Sequence, residues 1–271
     1  MTDFGQSFRP DRHVGGLSGA MLRLETQAAL TWPSESAILE RANVADASSI
    51  VELGCGSGAL LSRVRDLCPR AQITGVDLDE RLIEAAIRRA ADVRLIRADV
   101  RDVPLADACA DVVIMRYVLQ HLPDPHRALQ EAFRLLRPGG RVVVLEVDGG
   151  LWGISEPFLP DVERLQAKIW ASQSSRGGNR MVGRRLRSWC SEQGFAEATL
   201  ELYHYSSDDV GVEEFGPLLD PEQHIDLVED GIVTPEELAR AAVAYGRWLK
   251  DPRSYVMMVG FAVTAIKRSV D

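Results

Sequence analysis

Ile50-Val51-Glu52-Leu53-Gly54-Cys55-Gly56-Ser57-Gly58 begins as a short apolar strand and ends on three glycines at alternate positions. Leu60, Leu61, Val64 and Leu67 follow at helical spacing. Strand, glycine turn and helix, in that order, bring a nucleotide against bare backbone. Glycine suits the turn because a Cβ would hold the ligand away and because positive φ costs it little. The helix that follows offers unpaired N–H groups at its start.

Working outward, apolar β-prone runs alternate with helical patterns. Residues 71–76 read as a second strand ending at Asp77, about 20 residues past the glycines, where a carboxylate can accept from both hydroxyls of a ribose. Leu78 is placed to lie against a base, and Asp79 to cap a helix running through Leu82, Ile83, Ala86, Ile87 and Ala90. Residues 93–97 form a third strand that runs into Ala98-Asp99-Val100. Residues 110–115 form a fourth, nearly all apolar, as a strand covered on both faces must be. A helix over 128–136 stops at Arg137-Pro138-Gly139-Gly140, and residues 141–147 are the fifth strand. The alternation argues for an α/β fold with a doubly wound, mostly parallel sheet.

Gly54-Cys55-Gly56-Ser57-Gly58-Ala59 satisfies the dinucleotide fingerprint, whose last position accepts Gly or Ala. The extra glycine at 58 and the acid Glu52 two residues before Gly54 point elsewhere. This Glu-x-Gly-x-Gly-x-Gly stretch, followed in order by Asp77, Asp99 and the Leu-Arg-Pro-Gly-Gly turn, resembles the class I S-adenosylmethionine-dependent methyltransferases over roughly residues 48–148. The resemblance implies a seven-stranded Rossmann-like sheet with an antiparallel last strand, S-adenosylmethionine as cofactor, and methyl transfer to an O, N or C nucleophile. It puts Glu52, Gly54, Gly56 and Gly58 around the methionine part of the cofactor and Asp77 and Leu78 at ribose and adenine. It puts Asp99 and Val100 at adenine and Arg116 near the sulfur. Two other readings stay open: an NAD-dependent oxidoreductase, and a non-catalytic protein that binds S-adenosylmethionine through the same loop.

A sulfonium methyl is already activated, so positioning can supply much of the rate, and a base is needed only for a protonated nucleophile. The candidate catalytic residues are His121, in the segment after strand four, Glu146, at the end of strand five with Asp148 beside it, and His204. Arg23 and Gln27 share one face of an N-terminal helix and can reach a ligand carboxylate.

Composition narrows the partners. The 271 residues carry a net charge of −9, which works against nucleic acid and anionic membranes. No apolar run approaches the roughly 20 residues of a spanning helix. Met1–Gly5 has no basic-then-apolar leader. Cys55, Cys68, Cys109 and Cys190 are scattered, against a zinc site or disulfide framework and in keeping with the cytoplasm. No Asp/Asn cluster marks a hard-cation site, so no metal is expected. In the family, an Asn/Asp-Pro-Pro-Tyr/Phe stretch after strand four accompanies methylation of amide or base nitrogens; here the place reads Arg116-Tyr117-Val118-Leu119. The expected partner is a small-molecule methyl acceptor, with assembly as a homodimer left open.

The organisation expected is lid helices in 1–47 (helices over 18–30 and 33–42, behind a segment 1–16 that is poorly ordered unless it closes over a ligand). A cofactor-binding core follows in 48–150, 180–207 and 252–271, with a helical cap in 151–179 and 208–251. Within these, helices are expected over 160–172, 182–193, 208–231 and 234–250, and strands over 196–206 and 254–267. The run from Arg180 to Arg187 reads as a solvated helix face, and Trp152, Trp170, Tyr203, Phe215, Tyr245 and Trp248 as mostly core.

Overall fold

The computed structural model describes residues 7–268. Met1–Gln6 and Ser269–Asp271, and the expectation made for the first five residues, lie outside them.

Five parallel strands form one half of the sheet: β1 (Ser49–Leu53), β2 (Gln72–Asp77), β3 (Arg94–Arg97), β4 (Ala110–Arg116) and β5 (Leu136–Glu146). Their order is β3-β2-β1-β4-β5. Alternate residues on each strand face opposite layers. Ile50, Val112 and Val143 pack under one set of helices, and Val51, Val113 and Val142 under the other. The first layer takes α1 (Gly16–Arg41), α2 (Ala59–Leu67) and α3 (Glu80–Arg89). The second takes α4 (Pro125–Leu135) and α6 (Leu186–Glu192), the latter preceded in the chain by α5 (Pro160–Ser175). Leu53 sits opposite Val76 on one side and Met115 on the other, so the chain reversal after β1 lies beside Asp77 and Arg116. This is the point where strand order reverses, the place at which open parallel sheets bind ligands.

The sheet has eight strands, not seven. The last, β8 (Tyr255–Ile266), is antiparallel to β5 and to β7 (Ala196–Ser206). β8 outruns β5, and the surplus edge is taken by a four-residue strand, β6 (Gly153–Glu156), in a segment expected to belong wholly to the cap. β7 and β8 lie close to their expected bounds, and the C-terminal part of β7 alternates: Tyr203 and Tyr205 are buried, Leu202 and His204 exposed.

Two helical expectations are corrected. α1 runs unbroken through Pro33, where two helices were expected. Buried residues on both sides of the proline (Ala28, Leu30 and Thr31 before, Glu35, Ile38 and Leu39 after) hold the two halves on one core, outweighing the lost hydrogen bond. Residues 208–231 form a chain of short helical turns, not one helix. Gly211, Pro217 and Pro221 interrupt any longer run. Only α7 (Pro235–Trp248) is regular there, started by a capping box between Thr234 and Glu237. α5 and α7 share a small apolar core of their own around Leu165, Leu238 and Ala241. Of the aromatics, Tyr203, Phe215, Tyr245 and Trp248 are in the main core, whereas Trp152 and Trp170 line an outer cavity of about 620 Å³ between β6 and α5.

Candidate active site

A cavity of about 230 Å³ opens at the ends of β1, β2 and β4. The glycine loop forms its floor. Gly54, Gly56 and Gly58 have φ of +77°, +53° and +77°, which L side chains rarely adopt. Their roles differ. A Cβ on Gly54 would come 2.2 Å from Val118 Cγ2, and one on Gly58 3.1 Å from Ala86 of α3. Gly56 alone faces open space, its nearest neighbour being Leu24 of α1 at 3.5 Å. Gly58 does not line the cavity; it lets α2 and α3 pack.

Acids and arginines line this cavity. Asp77 accepts from the backbone N–H groups of Gly56 (2.8 Å) and Asp79 (2.9 Å), which fixes its carboxylate at the loop. A carboxylate has about four lone-pair sites, so two remain for a ligand diol. Burial raises the Asp77 pKa, partly offset by those N–H groups. Glu52 is buried, with Oε2 unpartnered, and burial raises its pKa well above the usual range, with Arg116 pulling the other way. Asp99 lines the cavity beside Val100; despite burial, Arg101 holds its carboxyl below the usual range. Leu78 lies on the same wall, and Asp79 caps α3 by accepting from Arg81 N–H.

Arg116 lines the cavity, but its charge is already matched. Nε donates to both oxygens of Glu35 (2.9 and 2.8 Å) and Nη2 to Thr31 Oγ1 (2.9 Å), all buried. Although burial disfavours the cation, Glu35 keeps its pKa above the ordinary value. The pair ties α1 to β4 and so hangs the α1 wall, with Arg23, Leu24 and Gln27, over the loop. Phe8 and Arg9 complete that side. Residues 7–12, expected to be poorly ordered unless they close over a ligand, are held there by Ser7 N–H to His121 O (2.9 Å) and by Arg12 to Asp230 (2.7 Å).

His121 stands between this cavity and a second one of about 90 Å³. Gln173 of α5 and Ser7 hold its Nδ1. The amide oxygen of Gln173 accepts from Arg180 Nε, and its Nε2 donates to Gln120 O (3.0 Å) and lies 3.3 Å from His121 Nδ1. Ser7 Oγ lies nearer, 3.0 Å from Nδ1, and can donate to it or accept from it. Burial, then Arg180 and Arg23, push the His121 pKa well below its ordinary value, so the ring is neutral. A neutral ring offers one N–H donor and one lone pair, so it can hydrogen-bond a ligand or accept a proton from it.

The other two catalytic candidates lie elsewhere. Glu146 is buried at the end of β5, outside the residues lining either cavity; Oε1 accepts from Gln120 N–H (3.3 Å), and Oε2 has no partner. Burial raises its pKa to about 8. Its neighbour Asp148 is consumed by Arg184 and by the Gly150 N–H. His204 is exposed on the outer face of β7, its carbonyl accepting from Ser34 Oγ, and it meets neither cavity.

The Arg180–Arg187 reading also changes. Arg180 is not on a helix and lines both cavities. The loop carrying it packs tightly on His121's neighbours, where a Cβ on Gly178 would come 2.5 Å from Ser7 Oγ and 2.9 Å from Gln120 O. Arg176, His224 and Gln173 in the second cavity were missed as well. The Gly177-Gly178 pair was the one sequence signal for such a close approach.

Residues 51–144 match the model of the methyltransferase domain family. The chain carries a class I S-adenosylmethionine-dependent methyltransferase domain. The cofactor of this family is S-adenosylmethionine, and the match sets the dinucleotide reading aside. The domain is 38% identical over 96 residues to the malonyl-[acyl-carrier protein] O-methyltransferase of Hahella chejuensis (35% of this chain, 34% of that protein). It is 30% identical over 124 residues to the ubiquinone/menaquinone biosynthesis C-methyltransferase UbiE of Desulfotalea psychrophila (45% and 50%). The chain thus spans a third to a half of these curated relatives. Among solved structures it is similar to phosphoethanolamine N-methyltransferase 2 of Haemonchus contortus, in complex with phosphomonomethylethanolamine and S-adenosylhomocysteine. The TM-score is 0.51 at 18% identity, over 82% of this chain and 49% of that one, which speaks for the fold alone. Among the described residues, no helix of the domain is long and apolar enough to cross a membrane.

Proposed function

We propose that the protein transfers a methyl group from S-adenosylmethionine to an O, N or C nucleophile of a small organic molecule. The observation that carries this is the cavity at the glycine loop, with Asp77 bonded to Gly56 N–H and Glu52 Oε2 buried without a partner among the described residues. These residues fit the cofactor: Glu52 for the ammonium, Asp77 for the ribose diol, Leu78, Asp99 and Val100 for adenine, Gly54 and Gly56 as the open floor, and Arg23 with Gln27 for the carboxylate. Bound there, S-adenosylmethionine supplies a methyl group on a positive sulfur, which the acceptor displaces in line as the carbon–sulfur bond breaks.

The chain's own residues do the positioning. The α1 wall and residues 7–12 cover the cavity and exclude water. His121 hydrogen-bonds the acceptor and orients it, and a nucleophile that is an amine or an ionised oxygen needs no further base. Residues 1–47 are the lid in this reading, and 151–179 with 208–251 the cap shaping the acceptor chamber. The test is calorimetric titration with S-adenosylhomocysteine and NAD, followed by an assay of S-adenosylhomocysteine release over a panel of acceptors. Micromolar S-adenosylhomocysteine binding without NAD binding supports the reading; NAD binding in its place overturns it.

A further inference from the structure

The second cavity carries charge that the protein leaves unmatched. Five arginines line it, Arg9, Arg12, Arg23, Arg176 and Arg180, against two aspartates, Asp226 and Asp230. Arg12 is taken by Asp230 (2.7 Å) and Glu229 (3.6 Å). Arg23 has no hydrogen bond or ion pair among the described residues. Among the described residues Arg180 donates only to the neutral Gln173. Arg176 reaches the Ser172 hydroxyl, and its buried Nε has no partner. The one buried carboxyl near Arg180, Glu146, is kept neutral by its own burial.

Three imidazoles surround the same space, and none supplies a counter-charge. Burial, then the cation Arg23, lower His224 to about 3 and His13 to about 4. Burial and Arg23 also lower Arg180 to about 9. Asp226 and Asp230 act on the half-buried Arg176 across the cavity without an ion pair to it among the described residues, and Arg180 is pressed by Arg23; an anionic ligand supplies the opposite charge that the site lacks. The cofactor brings one carboxylate, which Arg23, lining both cavities, can take. That leaves Arg176, which lines only the second cavity, and Arg180.

We propose that the methyl acceptor is an anion, its carboxylate or phosphate oxygens held between Arg176 and Arg180, with the neutral His121 ring beside them. This rests on the methyltransferase reading of the adjoining cavity. It explains why the cavity is built from arginines, whose planar fork matches such oxyanions. It also gives the chamber a role in orientation: anchoring the acid group directs the rest of the acceptor toward the cofactor cavity across His121.

The experiment pairs each acid with its neutral counterpart: benzoate with benzamide, and phenyl phosphate with phenol. Each is titrated by calorimetry into the protein with and without S-adenosylhomocysteine, and into Arg176→Gln. The expected result is at least tenfold tighter binding of one acid over its neutral counterpart, weakening with added salt. Arg176→Gln should lose at least tenfold for that acid while binding S-adenosylhomocysteine as the wild type does, which also shows that it is folded. The acid that binds more tightly assigns the oxyanion. Equal binding of acid and neutral partner, or an acid unaffected by Arg176→Gln, overturns the proposal. The wild-type pairs alone decide it should the variant not fold. Failure to bind S-adenosylhomocysteine would count instead against the methyltransferase reading, with the acid–neutral comparison still deciding the anion site.

Discussion

The two cavities that meet at His121 match their charges differently. Arginines line both, Arg9, Arg23 and Arg180 being shared, but in the first Arg81, Arg101 and Arg116 are paired with carboxylates while Glu52 and Asp77 have no ion pair among the described residues; in the second, arginines outnumber aspartates. Burial strains both in the same physical sense. It pushes the Glu52 and Asp77 carboxyls up in one and the Arg180 guanidinium and His224 imidazole down in the other. On the proposed reading, Glu52 and Asp77 take the cofactor's ammonium and ribose in the first, and Arg176 and Arg180 take an oxyanion in the second. Arg116 shows the contrast from inside the first chamber. Paired with Glu35, it is a strut and makes no demand on a ligand.

That strut gives the largest expected effect. Glu35→Ala leaves the Arg116 guanidinium buried without its partner, which costs about 3–5 kcal/mol. The melting temperature should fall on the order of 10 °C in scanning calorimetry. Because the pair hangs α1 over the loop, both chambers should loosen together, with weaker S-adenosylhomocysteine and weaker benzoate binding. An unchanged melting temperature would show that α1 is held by its apolar face alone.

Glu146 tests how the contrast survives at neutral pH. Ionised, it would partly cancel Arg180; burial keeps it neutral up to about pH 8. Below pH 4.5 the carboxyl is protonated both folded and unfolded. Between there and pH 8 only the unfolded chain ionises, so unfolding releases a proton and stability falls as pH rises. Glu146→Gln removes that loss. At about 1.4 kcal/mol per pH unit, the variant should gain up to a few kcal/mol over wild type by pH 8.5 and nothing at pH 4. Parallel urea-unfolding curves across that range would refute it.

Asp77→Ala separates the chambers. Losing the ribose hydrogen bonds should weaken S-adenosylhomocysteine by about 1–3 kcal/mol, roughly 5- to 150-fold. Benzoate binding in the other chamber should stay as it was. If both weaken equally, the cavities are one site, and the comparison fails.

The same contrast governs what the sequence reveals. The first chamber is built at the ends of consecutive strands, so its acids stand at regular offsets: Glu52 beside the loop, Asp77 a strand later, Asp99 a strand later again. Parallel register brings them together with no further information. The second chamber draws Arg12 from the N-terminal segment, His121 from the turn after β4, Arg176 and Arg180 from the end of α5, and His224 from a short turn in the cap. Nothing periodic links these, and Arg180 sits in a run that reads as surface. Glu35 was hidden for a related reason: its partner is 81 residues away, on another element. The unbroken α1 and the broken 208–231 segment were illegible because burial decided the first and several prolines and glycines the second.

His204 gives the smallest expected effect and checks that the outer face of β7 lies apart from both chambers. Along β7, Tyr203 and Tyr205 turn inward, Tyr203 with its hydroxyl 2.7 Å from that of Tyr117, and His204 turns to solvent. Among the described residues its ties run through its backbone, which pairs with Val259 of β8 and accepts from Ser34 Oγ, and any residue supplies these. His204→Ala should therefore change stability by less than about 0.5 kcal/mol and leave both S-adenosylhomocysteine and benzoate affinities unaltered. A specific loss of methyl transfer with both affinities intact would mean that the outer face of β7 reaches the chemistry. The acceptor would then have to approach from beyond the two cavities, and the arginine chamber would lose its place in the reaction.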